Sequence, residues 1–408
     1  MSVEKKEPEI RFKGFSWEWD AALLKDVSTY SNGGSFENDV KAEGKYELVT
    51  LKSVDMNGNL VSSGRYIDVE APTLPKDTLV MILSEQSPGL LGMTARIPVS
   101  DKYVLNQRVA EIRPLKNIES YFLSMAVNRN QRYFSERGAG TKVQNISKPN
   151  VENYEFLIPK KEEQAIIGNY FQKLDNLIKQ HQQKHAMLSN IKKAMLEKMF
   201  PKQGETIPEI RFKGFSGEWE EKKLGEIGET FTGLAGKTKH DFGHGQARFV
   251  TYMNVFANAI SNESLVEPVE IDESQNEVVK GDVFFTTSSE TPEEVGMSSI
   301  WMGEAKNVYL NSFCFGYRPK QKIDSVYLAY MLRASSFRKQ VIFLAQGVSR
   351  YNISKTKVMD IKTYMPSLLE QEKIGSYFQK LDALINQHQQ QITKLNNIKQ
   401  ACLSKMFV

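Results

Sequence analysis

The sequence predicts two α/β units in tandem duplication, each followed by one long helix. Three observations carry this reading. A proline-free segment, Glu163 to Phe200, recurs as Glu370 to Phe407 at an unbroken offset of 207 residues. A nine-residue block, Pro8-Glu9-Ile10-Arg11-Phe12-Lys13-Gly14-Phe15-Ser16, recurs as Pro208 to Ser216 at an offset of 200. Landmarks between these blocks keep their order while the offset climbs, as one duplication followed by small loop insertions requires.

Taken in order, the first unit spans 1–158. Tyr46 to Leu51 and Thr78 to Leu83 read as strands, and Ile118 to Phe134 reads as helix. Trp19 matches Trp219, and Val49-Thr50 with Val54 matches Val250-Thr251 with Val255. Leu105-Asn106 and Arg113-Pro114 match Leu310-Asn311 and Arg318-Pro319 at offset 205. Gly140 and Asn145-Ile146-Ser147-Lys148 match Gly347 and Asn352-Ile353-Ser354-Lys355 at offset 207. The first long helix is assigned to 159–200 and a short polar joint to 201–207. The second unit spans 208–365, with a strand at Val283 to Thr287 and a helical run from Asp324 to Phe343. The second long helix occupies 366–408. Each unit is expected to be compact, with short strands and long exposed loops.

The helices are recognised by period. Ile167, Leu174, His181, Leu188 and Met195 fall on a seven-residue step, with Phe171, Ile178, Met199, Tyr170, Leu177 and Ile191 on the intermediate turns. Ile374, Leu381, His388, Leu395 and Cys402 repeat the step. This is a coiled-coil seam, which two copies in one chain can bury. At 1.5 Å per residue each helix is roughly 57 Å long. His181 and His388 are the polar layers and are expected to set register. Ser367 with Glu370 forms a candidate capping box.

Composition bounds the class. The 408-residue chain is 40% hydrophobic and 25% charged, with a net charge of +4. These values fit an ordinary soluble globular protein and permit an anionic partner. Its longest apolar runs are too short for a membrane span, residues 1–7 carry no apolar signal core, and Cys314 and Cys402 form no close pair. A cytoplasmic location is expected.

The sequence carries no complete catalytic motif among those it suggests. Gly233 to Thr238 ends like a phosphate-binding loop, but Phe231 stands where its first glycine belongs. His240 and His244 flank Gly243, which argues against the helix that would align them on a metal, and a third ligand is not evident. What remains are loops mixing basic, amide and aromatic residues, the types that contact phosphates and base edges. In the first unit the candidates are Lys142, Gln144 and Asn145. In the second they are Lys237, Lys239, Ser349, Arg350 and Tyr351. The Gly-x4-Asn-Ile-Ser loops lie at matching places, yet their inner residues differ. Asn145 and Asn352, kept in both copies, are alternatively turn residues. A standalone nuclease and a structural assembly scaffold are the competing readings.

The repeated Pro-Glu-Ile-Arg-Phe-x-Gly-Phe block with its following tryptophan, the Gly-x4-Asn-Ile-Ser segments and the Pro-x3-Glu-Gln lead-ins at 159–164 and 366–371 together resemble the specificity (S) subunit of Type I restriction-modification enzymes. The resemblance covers essentially the whole chain. It implies two target recognition domains, each reading one half of a bipartite, asymmetric DNA site through the major groove. It implies an antiparallel coiled coil between them, with pseudo-twofold symmetry, that sets the gap. Two modification subunits carrying S-adenosylmethionine would methylate adenine, and restriction subunits would use ATP and Mg to translocate and cleave unmodified double-stranded DNA. The chain itself would be non-catalytic and bind no cofactor.

Overall fold

The computed structural model describes residues 7–85 and 89–408. The chain divides into two compact units, residues 1–182 with 390–408, and residues 183–389. Each unit therefore contains one half of each long helix.

In the first unit a four-stranded antiparallel sheet has the order Ser28–Asn32, Val109–Pro114, Leu79–Ile82, Thr94–Arg96. A three-stranded sheet centres on Tyr46–Val49, antiparallel to Tyr66–Ile67 and parallel to Tyr103–Leu105. A short ribbon joins Asp20–Leu23 to Glu155–Ile158. The second unit repeats this topology. Its four strands are Gly228–Thr232, Cys314–Pro319, Val283–Thr286 and Ser298–Ile300, and Phe242–Val250 lies between Val266–Val269 and Val308–Leu310. Leu79, Val80, Met81 and Ile82 are all buried, as are Val283, Phe284 and Phe285, because both faces of these strands are covered.

The two helical runs each form a pair of helices, Ser120–Asn128 with Gln131–Ser135, and Ser325–Met331 with Ser335–Leu344. The first break falls where the Asn130 side chain accepts from the Tyr133 amide and caps a new helix. At the second, the Arg333 guanidinium turns inward to the carbonyls of Ser298, Val255, Phe256 and Asn258. Burial holds its pKa down at about 10.

The long helices run Lys161–Lys198 and Leu368–Lys405, 38 residues each. In the first unit Lys399 pairs with Asp175 and the Tyr170 hydroxyl meets Cys402 Sγ. In the second unit Lys192 pairs with Asp382, and Phe200 stacks on Phe378. Within each unit, residue numbers on one helix rise as those on the other fall, so the helix halves pack antiparallel. Ile167, Phe171, Leu174 and Ile178 are buried in one unit, and Ile374, Phe378 and Leu381 in the other, where Leu188 and Met195 pack against the same core. Leu395 and Cys402 pack against the first core, and His181 and His388 are half-buried. The spacing used is four then three. Leu177 and Ile191, one residue before the buried step, are rotated about 100° away and face solvent.

Both repeated blocks clamp these helices. Arg11 donates from Nε and Nη2 to the two carboxylate oxygens of Glu163 at 2.7 and 2.8 Å, and Arg211 does the same to Glu370. Ile10 N donates to Lys405 O, and Ile210 N to Lys198 O, both at 2.9 Å. Phe12 packs edge-on to Tyr170, and Phe212 edge-on to Tyr377. The capping box at Ser367 is thus not formed through Glu370, whose carboxylate is taken by Arg211. Gln164 bridges Pro159 O and Glu119 N, and Gln371 bridges Pro366 O and Asp324 N. A Cβ at Gly168 would stand 2.0 Å from Glu119 Oε2, so the helix approaches that cap only as glycine. Among the described residues, no helix is long and apolar enough to cross a membrane.

Candidate nucleic-acid interface

Each unit carries a hairpin built on the Gly-x4-Asn-Ile-Ser segment. In the first, Ala139 and Asn145 exchange both backbone hydrogen bonds at 2.9 Å; in the second, Gln346 and Asn352 exchange them at 2.9 and 2.8 Å. The tip of each turns at a glycine that nothing larger replaces. Gly140 has φ 131° and Gly347 φ 139°, and an added Cβ would lie 2.0 Å from Val143 O or Arg350 O. The Asn145 side chain donates to Val143 O, and that of Asn352 to Arg350 O. Ser84 Oγ donates to Asn145 Oδ1. Asn145 and Asn352 are therefore the residues that hold the turn. The isoleucine that follows is buried in both copies, and Ser147 caps the next short helix.

On that common frame, Lys142 and Gln144 in one unit and Ser349 and Arg350 in the other are exposed, and Tyr351 is half-buried. A short strand runs beside each hairpin, Ser84–Glu85 against Gln144–Asn145 and Ser288–Ser289 against Tyr351–Asn352. On the strand's other edge lies the turn that follows the matched Leu105-Asn106 and Leu310-Asn311 pairs, a turn whose exposed residues were not among the sequence candidates. Leu83 N donates to Arg108 O and Ile146 N to Leu83 O, each at 3.0 Å. Thr287 N donates to Phe313 O and Ile353 N to Thr287 O, also at 3.0 Å. Gln107 and Arg108, and their counterparts Ser312 and Phe313, thus stand beside the hairpin. Arg108 adopts the left-handed conformation, φ 65°. A third segment completes each tip. Asn106 N donates to Val49 O and Asn311 N to Val250 O, which brings up Lys52 in one unit and Met253 in the other. Tyr252 Oη donates to Ser288 O, tying this segment to the strand. The signal that could have found these residues was present: after matched Leu-Asn and Val-Thr landmarks, the next exposed residues differ.

Lys237 and Lys239 belong to a different loop. Lys237 Nζ stands 2.6 Å from Asp272, and Ala235 N donates to Gln275 Oε1. The ammonium, with further donation from Ser274 and Gln275, holds the Asp272 carboxyl well below the usual carboxylate range. Lys237 is committed to an internal pair, whereas Lys239 is exposed on a short turn, Lys239–Asp241. His244 Nε2 contacts His240 O at 2.7 Å, and among the described residues no group of three His, Cys, Asp or Glu side chains is placed to hold a metal.

Each tip carries exposed polar and cationic side chains able to donate to phosphates and to base edges, and the second adds exposed Met253, Phe313 and Val348. Comparison with known proteins agrees with this frame. The family described as Type I restriction modification DNA specificity domain matches residues 17–190 and again residues 216–397. The type I restriction enzyme MjaVIII specificity subunit of Methanocaldococcus jannaschii is 22% identical over 407 residues, 96% of this chain and 92% of that relative. A second protein of that organism, provisionally named a type I restriction enzyme MjaX specificity subunit, is 27% identical over 197 residues. That match takes in 47% of this chain and 45% of the relative, so the chain spans about half the length of that protein. The crystal structure of the type I restriction-modification S subunit from M. genitalium aligns at 16% identity with a TM-score of 0.59, covering 98% of this chain and 99% of that one. A chain from a structure describing complex assembly and conformational transition of the type I R-M system aligns at 16% identity and a TM-score of 0.52, over 95% and 97% of the two chains. At such identity the structural likeness speaks for the fold, while the two family matches together take in well over half of the sequence: the chain belongs to the Type I restriction modification DNA specificity domain family.

Proposed function

We propose that the chain is the DNA-reading, non-catalytic subunit of a type I restriction-modification complex, and that each unit reads one half of a bipartite, asymmetric target in double-stranded DNA. The observation that carries this is the pair of hairpins. One backbone frame, held by the same hydrogen bonds, presents Thr141, Lys142, Val143 and Gln144 in one unit and Val348, Ser349, Arg350 and Tyr351 in the other. A support common to both units with different tips is what two readers of different sequences need. In this reading the long helices set the gap between half-sites and dock two modification subunits. Those partners hold S-adenosylmethionine and methylate adenine; restriction subunits bring ATP and Mg.

The division of labour has a physical basis. Phosphate contacts fix position and carry affinity, base-edge contacts carry sequence, and neither requires a nucleophile or a cofactor on the reader. The test is methylome sequencing of a host carrying this chain and its partner subunits, with and without the gene. A gapped, asymmetric motif methylated on adenine and lost on deletion supports the proposal. An assembled complex that methylates without such a motif refutes it and favours an assembly scaffold.

A further inference from the structure

The two tips differ in kind as well as in detail. Structurally matched positions are Lys52 and Met253, Arg108 and Phe313, Thr141 and Val348. The first unit is polar there: Lys52, Arg108 and Thr141 are exposed, with exposed Lys142 next to Thr141, and among the described residues none of the three cations forms an ion pair. At the same three positions the second unit is apolar, beside its exposed Arg350: Met253 is 62% exposed, Phe313 60% and Val348 94%. Scattered exposed apolar side chains are ordinary on a protein surface. Three of them, each on a backbone segment that carries a polar residue in the other unit, form a pattern.

In the major groove, Arg and Lys donate to guanine O6 and N7, and apolar groups meet the thymine methyl. We infer that the two half-sites are read by different chemistry: the first unit recognises guanine through Arg108 and Lys142, and the second recognises thymine methyl groups through Phe313 and Met253. This rests on the reader role proposed above and names the bases each unit takes.

The test uses the full chain assembled with its modification subunits and duplexes of the mapped target carrying base analogues. Replacing guanine in the first half-site by 7-deazaguanine removes the N7 acceptor. Wild-type affinity should fall at least fivefold, within the range of one good base contact. Arg108→Asn, chosen because asparagine tolerates the left-handed backbone, should be insensitive to the same change. Replacing thymine in the second half-site by uracil removes only the methyl group. Wild-type affinity should fall roughly fourfold, the worth of one buried methyl, and Phe313→Ala should not respond. Each variant should relax one half-site and leave the other unchanged. If the complex keeps its target preference yet tolerates both analogues, the inference is overturned and the reader role survives. If the complex shows no target preference, the reader role itself fails.

Discussion

Replacing Arg211 by methionine tests the clamp that ties the repeated block to the second helix. The Arg211 guanidinium meets Glu370 at 2.7 and 2.8 Å, and the side chains are 15% and 1% exposed. Methionine keeps most of the apolar volume and removes the charge, leaving a buried carboxylate without its cation. Breaking a buried pair in this way costs about 3–5 kcal/mol. The guanidinium keeps some contact with water, so the lower end, about 3 kcal/mol, is expected. Removing both charges, Arg211→Met with Glu370→Gln, should cost far less, because no unpaired ion remains, and the coupling between the two sites should reach about 2 kcal/mol. Hydrogen exchange read peptide by peptide localises the loss. Peptides covering 205–220 and 366–380 should exchange about 100-fold faster in the single variant. Peptides of the first unit should keep wild-type rates. A single variant within about 0.5 kcal/mol of wild type, or a double variant as destabilised as the single, would refute the argument.

Gly140→Ala and Gly347→Ala should each destroy one hairpin tip, since the new Cβ would meet a carbonyl oxygen at 2.0 Å; thermal unfolding should shift little while recognition of one half-site is lost in a binding assay. Lys239→Ala should reduce the slope of log affinity against log salt by about one, whereas Lys237→Ala, whose ammonium is held by Asp272, should change it far less. Burial pushes the Cys314 thiol up from 9.0 to about 12. It should resist alkylation at pH 8 in the native chain and label on unfolding, as mass spectrometry can follow. Across that pH window the unfolded thiol ionises first, so the Cys314 contribution to stability is full below it and lost as pH rises through it. Inserting one heptad into both long helices adds about 10 Å and should lengthen the tolerated gap by about three base pairs, read as a new methylated motif; an unchanged gap would contradict the spacer role.

Periodicity and repetition made much of the fold legible. The duplication predicted two units of one topology, and the four-strand and three-strand sheets repeat in both. The seven-residue step marked Ile167, Leu174, Ile374 and Leu381, which are buried. What escaped notice were partners far apart in the chain. Arg11 and Glu163 are separated by 152 residues and Arg211 and Glu370 by 159, so local reasoning assigned the glutamates to helix starts. Leu177 and Ile191 fit an apolar seam by identity but fall one residue off the register that packing selects. Arg108 and Phe313 escaped because a strand and a turn from distant segments bring them beside the hairpin. Lys237 looked like a free cation until Asp272, on another loop, was placed next to it.

The most direct test of the central claim compares the methylated motif of the wild-type complex with that of Arg350→Ala, an exposed change on the second hairpin alone. The account predicts that one half of a gapped motif relaxes by a position while the other half and the gap stay as they were. A change in both halves, or an unaltered motif, would contradict the assignment of one half-site to each unit.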